Sequence, residues 1–352
     1  MKRTMALLIV LCMSAAAFTG CAQTAAPAAT ETTAPAEAPA GQAAEEPPAS
    51  EGGVLPAPNG FGGKAITVIN PYAAGGGTDV LLRKLAEVIS LEYGVTIVIE
   101  NVTGSSGAVG LSQALAAKPD GYTLGIIGPG VQSLFAQELY DYTPEDCTFV
   151  NVLFGYPSVM VIRKDLWKNY EEFITAALDK PGALKIGHNA TLSCADALTI
   201  ALCKAYDDPD LFVNVPYDGA ARAVTELIGG HIDAVIGGTG DVMNYIDQFH
   251  CIVMGEASSL LPDSPSIYDC GLTREQYPDV GYARQFIVGP KGMDEDVTAY
   301  IASLFASAYQ TEEMKTFAVE RACDLDGSVG SDLKTVWDSH YAATIDWVSI
   351  FD

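Results

Sequence analysis

Three loops in this sequence concentrate glycine and hydroxyl side chains directly before predicted helices. They span residues 75–79, 101–107 and 189–193, with the sequences GGGTD, NVTGSSG and NATLS. Glycine lets the backbone N–H groups of a loop approach a ligand closely, and the positive end of a helix dipole favours an anion. One such loop alone is equally typical of a tight turn. Three of them in an acidic chain predict that backbone N–H groups, assisted by the hydroxyls of Thr78 and Ser193, bind a small carboxylate.

The same motifs do not support nucleotide binding or catalysis. The first loop lacks the Gly-Lys-Ser/Thr ending of a P-loop and the GxGxxG spacing of a dinucleotide fold. The chain has no GxSxG element and no HExxH element. His188 and Cys194 could be a base and a nucleophile, but a cysteine in an alanine-rich helix is more often a small core residue. The sequence therefore predicts no enzyme, no metal and no cofactor.

Alternating strand-like and helix-like segments position these loops, a pattern typical of an α/β fold with largely parallel sheets. Thr78 or Asp79 suits the N-cap of the first helix. Ligands of open α/β sheets bind at the carboxyl ends of the strands, which is where the loops lie. The predicted strands are 65–70, 95–100, 122–127, 158–163, 184–188, 213–217, 232–237, 252–254 and 286–288, and the chain after residue 290 is predicted to be mainly helical.

The charge of the chain excludes nucleic acid as a partner. The 352 residues include 19 Lys and Arg against 44 Asp and Glu, which is a net charge of −25. Without the N-terminal cations and the glutamates of a linker described below, 17 positive and 39 negative residues remain, a net charge of −22. A phosphate backbone requires a basic patch, which this composition does not supply.

The N-terminus predicts export and a lipid anchor. Lys2 and Arg3 precede an apolar run and then small residues before Cys21, which is the order of a secretory signal peptide. Small residues directly before a cysteine resemble the lipobox of bacterial lipoproteins, although Phe18 stands where leucine is usual. We therefore expect residues 1–20 to be removed and Cys21 to be lipidated. Residues 22–60 contain 13 Ala and 7 Pro but no aromatic residue, so residues 21–60 are predicted to be a disordered tether.

Cysteine usage leaves the disulfide state open. The six cysteines beyond Cys21 form no CxxC pair and show no Cys/His spacing typical of a metal site. Sequence does not choose among their possible pairings, and a domain of this size does not need a disulfide bond for stability. They are Cys147, Cys194, Cys203, Cys251, Cys270 and Cys323.

Three sequence blocks resemble the receptors of tripartite tricarboxylate transporters, also called the Bug family of solute-binding proteins. The first is PYAAGGGTDV at residues 71–80, followed by VIEN at 98–101 and PDGYTL at 119–124. The second, VNVPYDGAARAVTELIGGHID at 213–233, is similar to the VPYKG segment of the family. The third, LPDSPS at 261–266, is similar to the LPDVPT turn. The blocks follow the order of the family across almost all of the chain beyond the linker.

The resemblance implies an α/β, two-lobed type II periplasmic-binding-protein fold with a ligand cleft between the lobes. By the family pattern, residues 64–162 together with 285–352 form the first lobe, and residues 163–284 form the second. Residues 158–163 and 284–288 would be the strands that cross between the lobes. The protein is expected to be a monomer.

The resemblance also implies which residues contact the ligand. Residues 72–76 with Thr78 and Asp79 match the first family loop, which approaches a carboxylate directly and through ordered water. Ser105 and Ser106 match the second loop, where residues 102–103 replace the usual Arg-Pro pair. The third loop departs further from the family and keeps a hydroxyl at Ser193. The expected ligand-binding residues are Tyr72, Ala73, Ala74, Gly75, Gly76, Thr78, Asp79, Ser105, Ser106, Gly128, Thr191, Ser193, Tyr217 and Gly219.

The predicted function is that of an extracytoplasmic, lipid-anchored protein that binds a small organic carboxylate. The resemblance implies delivery of this ligand to a membrane permease with one large and one small subunit. An alternative is a lipoprotein sensor that presents its ligand-bound form to a two-component histidine kinase, and the sequence does not separate the two. A secreted hydrolase would need a nucleophile and a base that the residues do not supply. The sequence does not identify the carboxylate.

Overall fold

The computed structural model describes residues 53–277 and 281–351. The predicted signal peptide, the predicted lipidation site Cys21 and most of the predicted tether lie outside these residues. Within them, no helix combines the length and the apolar composition that crossing a membrane would require.

The described residues form nine strands in one mixed sheet. The strand order is β2-β1-β3-β9-β4-β7-β5-β6, and β8 pairs with β4 beside this path. The strands are β1 (Ile66–Asn70), β2 (Ile97–Asn101), β3 (Thr123–Ile127), β4 (Cys147–Arg163), β5 (Leu184–His188), β6 (Phe212–Pro216), β7 (Ala234–Gly238), β8 (Phe249–Val253) and β9 (Tyr282–Pro290).

Ten α-helices connect and cover these strands in the described part of the chain. Most follow a strand directly, so their N-termini lie near the carboxyl ends of the strands. They are α1 (Gly77–Tyr93), α2 (Ala108–Leu115), α3 (Pro129–Ala136), α4 (Tyr170–Asp179), α5 (Cys194–Ala205), α6 (Ala220–Ile228), α7 (Thr239–Val242), α8 (Glu295–Tyr309), α9 (Glu312–Arg321) and α10 (Gly330–Val348).

The fold has two lobes, each with its own core. We call the part built on β1, β2 and β3 the first lobe and the part built on β5, β6 and β7 the second lobe. In the first lobe, the apolar stripe of α1 packs against β1, β3 and α8, and Leu82, Leu85 and Ile89 are fully buried. In the second lobe, Phe173 and Leu198 belong to a core between α4, α5 and the strands. Truncating one such leucine to alanine typically costs about 2–5 kcal/mol of stability.

The strands β4 and β9 run through both lobes. They pair antiparallel from Cys147 opposite Pro290 to Pro157 opposite Tyr282. Beyond Pro157, β4 pairs instead with β7 and β8 of the second lobe. The lobes are therefore connected by continuous paired strands, which suit a hinge. The lobe boundaries predicted from the sequence stay a prediction.

The helix α10 also contacts both lobes. Trp337 packs in the first lobe, against the rings of Phe149 and Phe286. At the other end of the helix, Trp347 and the Ile350 side chain pack against the core of the second lobe. Lys204 of α5 donates a hydrogen bond of 2.9 Å to the Ile350 carbonyl oxygen. The C-terminal residues, which were predicted to belong to the first lobe, thus contact the second lobe as well.

Three features of the fold differ from the sequence prediction. The sheet is not largely parallel, because β4 pairs antiparallel with β7, β8 and β9, and β9 pairs antiparallel with β3. The N-cap of α1 is Gly76 rather than Thr78 or Asp79. The helix α3 follows Gly128 directly, where the sequence predicted no element. Pro129 at its first position is compatible with a helix start, because the backbone N–H that proline lacks would have no intrahelical acceptor there.

Part of the predicted tether contacts the first lobe. Leu55 N donates a hydrogen bond of 3.0 Å to Ser303 Oγ, and Val54 packs against the core of the first lobe. Phe61, just beyond the predicted tether, stacks on Tyr122 with ring centroids 4.6 Å apart. Within the described residues, no disulfide bond joins any of the six cysteines predicted to remain in the mature chain.

Candidate functional site

The three loops predicted from the sequence meet in a cleft between the lobes. The cleft contains an inner cavity of about 50 Å³ and an outer cavity of about 300 Å³ toward its mouth. Tyr72, Asn189 and Gly219 line both cavities and so mark where they join. The inner volume holds only a few water molecules, whereas the outer one is in the range of small-molecule sites.

The first loop is held by Asp79, whose side chain turns away from the cleft. This carboxylate accepts hydrogen bonds from Gly75 N (2.8 Å), Arg83 Nε (3.0 Å) and Asn101 Nδ2 (2.9 Å). Burial alone would raise the pKa of Asp79, but these hydrogen bonds outweigh it and hold the pKa below its ordinary value. Asp79 is therefore an ionised residue that positions the loop, and the structure does not direct it at a ligand.

Two polar side chains of the first lobe form the floor of the inner cavity. Thr78 Oγ1 and the Gln285 side-chain amide are within hydrogen-bond distance, with contacts of 3.0 and 3.2 Å. Gln285 Nε2 also lies 3.4 Å from the hydroxyl of Tyr156. Burial raises the pKa of Tyr156 to a value far above neutrality, so its hydroxyl stays protonated at neutral pH.

Tyr72 lies against the start of α3. A Cβ atom added to Gly128 would lie 1.8 Å from the Tyr72 hydroxyl, so a glycine is required at position 128 for this packing. Burial, with the nearby Tyr156 and Asp241, raises the pKa of Tyr72 well above its ordinary value. Gly128 thus serves the site by admitting the Tyr72 ring, and it does not itself line either cavity.

The second loop has an unusual backbone. Gly104, Ser105, Ser106 and Gly107 all have positive φ angles, and two serines in this region are uncommon. Such strain persists only where the surroundings over-determine the conformation. One determinant is a bond across the cleft, since Ser106 Oγ donates to the Thr191 carbonyl oxygen at 2.8 Å. The second loop of the first lobe therefore contacts the third loop of the second lobe directly.

The third loop is anchored by Asp196 at the start of α5. Asp196 Oδ2 accepts a hydrogen bond of 2.7 Å from Leu192 N, and Leu192 itself has a positive φ of 57°. Ser193 is the N-cap of α5, because its Oγ accepts from Asp196 N and donates to the Ala190 carbonyl oxygen. The Ser193 hydroxyl, predicted to assist the ligand, is thus already used within the loop.

His188 is buried behind the same loop. Its Nδ1 lies 2.8 Å from the Ala190 carbonyl oxygen, a contact that requires a proton on Nδ1. Its Nε2 faces Asp196 Oδ1 at 3.7 Å, too far for a hydrogen bond. Burial lowers the pKa of His188 even though Asp196 raises it, so the imidazole is neutral at neutral pH. Both ring nitrogens thus face groups of the loop and its helix, so we assign His188 a structural role.

A carboxylate of the second lobe reaches across the inner cavity to the first loop. Asp241 of α7 accepts a hydrogen bond of 2.8 Å from Gly77 N at the start of α1. The backbones also meet here, because a Cβ atom added to Gly77 would lie 3.1 Å from Gly240 Cα. Burial raises the pKa of Asp241, although the Gly77 bond and the charge of Arg321 lower it. Residues 239–241 were not among the predicted site residues.

The second lobe also contributes the start of α6. Tyr217 N donates to the His188 carbonyl oxygen at 2.9 Å, which joins this turn to the third loop. Gly219 has a φ of 135°, a conformation that favours glycine. Ala220 and Ala221 follow it and line the inner cavity. The first N–H groups of a helix have no intrahelical partner. Because the side chains at this helix start are small, these N–H groups can contact a ligand.

The predicted site residues are mostly in the cleft. Those that line a cavity are Tyr72, Ala73, Gly76, Thr78, Ser105, Ser106, Thr191, Tyr217 and Gly219. Those that do not are Ala74, Gly75, Asp79, Gly128 and Ser193. The cavities are also lined by residues that the sequence reasoning missed, among them Tyr156, Ser158, Asn189, Cys194, Asp241 and Gln285. Asn189 begins the third loop and could have been found from that pattern, whereas Tyr156 and Gln285 come from the middle of strands and gave no signal.

The chain is similar to known proteins both over a family model and in direct sequence alignment. The model of the tripartite tricarboxylate transporter family receptor matches residues 81–328. A protein of Agrobacterium vitis, described as the UPF0065 protein in the TAR-I ttuE-ttuC' intergenic region, is 29% identical over 228 residues, which are 62% of this chain and 65% of that protein. Protein BugT of Bordetella pertussis is 26% identical over 270 residues, 74% of this chain and 81% of BugT.

Solved structures show the same fold. MatC from Rhodopseudomonas palustris with bound malate has a TM-score of 0.71 and 22% identity, and the match covers 82% of this chain and 99% of MatC. A second R. palustris protein, Rpa4515 with adipate, has a TM-score of 0.73 and 22% identity, and the match covers 82% of this chain and 97% of that protein. At this level of identity the likeness establishes the two-lobed architecture of a periplasmic binding protein.

Proposed function

The chain belongs to the tripartite tricarboxylate transporter receptor family, and we propose that it captures a small organic acid outside the cytoplasm and delivers it to a membrane permease. The permease partner of this proposal has one large and one small membrane subunit. The observation that carries the proposal is the cleft, in which loops from both lobes surround two joined cavities. The malate and adipate held by two proteins of the same fold support an organic acid as the ligand.

The geometry of the cleft supports capture by closure of the lobes. Loops of opposite lobes contact each other through Ser106 and Thr191 at one point and through Gly77 and Asp241 at another. The inner cavity of about 50 Å³ is too small to admit an organic acid unless these contacts separate. Binding therefore requires opening about the strands β4 and β9, followed by closure that excludes water from the ligand. We assign no catalytic step to the site.

Ligand binding should raise the thermal stability of the protein. A ligand that binds only the folded state stabilises it by RT ln(1 + [L]/Kd), about 2.7 kcal/mol at 100 times Kd. For about 300 folded residues we expect a rise of roughly 4 °C in Tm. The measurement is a thermal-shift screen with mono-, di- and tricarboxylic acids and amino acids, and the corresponding neutral amides are the controls. If no organic acid raises Tm, or the amides act equally well, the proposed function is wrong.

We also propose that Cys21 carries the lipid anchor, as the order of charged, apolar and small residues before it indicates. A lipid chain stabilises membrane attachment by about 0.8 kcal/mol per buried CH₂ group, so its loss should release the protein. We expect Cys21→Ser to move the protein from the membrane fraction to the soluble extracytoplasmic fraction. Cys12→Ser, inside the apolar run of the signal, is the matched control. It should not change the distribution of the protein between the membrane and soluble fractions. Full retention of Cys21→Ser in the membrane would contradict the assignment.

A further inference from the structure

The cleft carries negative charge where a receptor for anions would be expected to carry positive charge. Among the described residues that line the two cavities there is no Lys, Arg or His. The charged side chains of the lining are Asp241 in the inner cavity and Asp218 in the outer one. Asp218 is exposed at the mouth, whereas Asp241 is partly buried between the lobes. The ligand must therefore be compatible with a carboxylate inside the cleft.

Asp241 occupies the position at the first loop that the carboxylate of a ligand was expected to take. Its Oδ1 accepts from Gly77 N at 2.8 Å, at the N-terminus of a 17-residue helix. The neighbouring donors are also engaged, since Gly75 N donates to Asp79 and Gly76 N to the Ala73 carbonyl oxygen. A second carboxylate at this helix end would meet the charge of Asp241 at close range in a poorly solvated space.

A cation would be stabilised at the same place. The Tyr72 and Tyr156 side chains line the inner cavity together with Asp241, and the charge of Asp241 contributes to raising the pKa of both phenols. Aromatic faces attract an ammonium group, and a partly desolvated carboxylate gains more from a cation than an exposed one does. Burial also disfavours the ionised form of Asp241, a cost that a bound ammonium would offset.

We infer that the ligand carries an ammonium group as well as a carboxylate, as an amino acid does, and that Asp241 binds the ammonium group. This inference rests on the proposed function and narrows its ligand class. The carboxylate of the ligand would then lie toward the second lobe, where Gly219, Ala220 and Ala221 at the start of α6 line the inner cavity. Asp241 is thus the residue that distinguishes amino acids from plain organic acids of the same skeleton.

The test compares matched ligand pairs by calorimetric titration. Each pair shares a carbon skeleton with and without the amino group: L-aspartate with succinate, L-glutamate with glutarate, and L-leucine with 4-methylpentanoate. We expect at least one amino acid to bind wild type about 10- to 100-fold more tightly than its partner, since a charge-assisted hydrogen bond would be lost. Asp241→Asn should remove this preference and lower the affinity for the amino acid by a similar factor. The Asn oxygen can still accept from Gly77 N, so the contact between the lobes is kept.

Asp247→Asn is the matched control, because it removes the same charge from an exposed residue that lines neither cavity. We expect it to change the affinity for the amino acid by less than about 3-fold, as an exposed charge is screened by solvent. Asp241→Ser serves as a second variant and should show the same loss of preference, with Tm checking that both variants fold. The inference would be overturned if the wild-type protein bound succinate or glutarate as tightly as the matching amino acid. It would also be overturned if Asp241→Asn kept the preference for the amino acid. The proposed function would survive that result, because it fails only if no organic acid binds or if the neutral amides bind equally well.

Discussion

Gly77→Val should weaken ligand binding by at least about 100-fold without unfolding the protein. Gly77 is the first residue of α1, and the backbone of the opposite lobe passes directly over it. A Cβ atom at position 77 would lie 3.1 Å from the Gly240 Cα and C atoms, closer than such contacts normally occur. The two branches of valine would increase the clash, so the lobes should be held apart. Because both of these glycines belong to the contact between lobes, the cores of the individual lobes are not disturbed.

The magnitude follows from what separated lobes would lose. Two charge-assisted hydrogen bonds to a ligand are together worth about 3–6 kcal/mol, which corresponds to roughly 100-fold or more in Kd. The measurements are calorimetric titration with a ligand found in the thermal-shift screen and small-angle scattering for the radius of gyration. Gly240→Ala, on the facing lobe, should weaken binding in the same direction. Ser90→Val places valine on the exposed face of the same helix and is the matched control. A Gly77→Val protein that binds like wild type would show that this contact is not needed for binding.

Local sequence patterns predicted the elements around the site well where each element forms by itself. The strand Leu184–His188 has the predicted limits, because turn residues bound its apolar pattern on both sides. The strand β4 was predicted over six residues but has 17, from Cys147 to Arg163. Its register shifts near Asn151 and Phe154 interrupt the pattern, and its pairing with β9 joins residues more than a hundred positions apart. Antiparallel pairing of this range has no signal in a local window.

The site could be predicted in location but not in all of its contacts. Residues of the glycine loops line the cleft, and such loops can be recognised in a sequence because glycine and helix-start residues depend on local backbone geometry. The direction of a side chain depends on what the rest of the fold places beside it. Asp79 and Ser193 were predicted to face a ligand, yet they bind the neighbouring backbone of their own loops. Asp241 is one of 44 acidic residues, and only the juxtaposition of Gly77 and α7 distinguishes it from the others.

Asp196→Ala should lower both the stability of the second lobe and the affinity for ligand. The side chain of Asp196 is 9% exposed. It accepts hydrogen bonds from Leu192 N and Asn214 Nδ2, and its charge interacts with His188. Loss of a hydrogen bond to a charged group costs about 1.5–3 kcal/mol, and the strained backbone of Leu192 would lose its partner. We therefore expect a fall of roughly 5–10 °C in Tm. Release of the third loop should also displace Asn189 and Thr191 and weaken binding about 10- to 100-fold.

The dependence of stability on pH gives a second readout for Asp196→Ala that simple loss of packing would not produce. The pKa of His188 in the folded protein is below the value of about 6.5 expected for the unfolded chain. The unfolded state therefore binds more protons below pH 6.5, and the stability contributed by neutral His188 is lost as the pH falls from there toward the folded pKa. Asp196 raises that folded pKa in wild type. Its removal should lower the folded pKa further, so that stability continues to fall to a lower pH than in wild type.

Asp179→Ala, which changes an exposed acidic residue at the end of α4, is the control and should change neither Tm nor this profile. If Asp196→Ala matched Asp179→Ala in Tm, pH profile and ligand affinity, Asp196 would not be the anchor of the third loop.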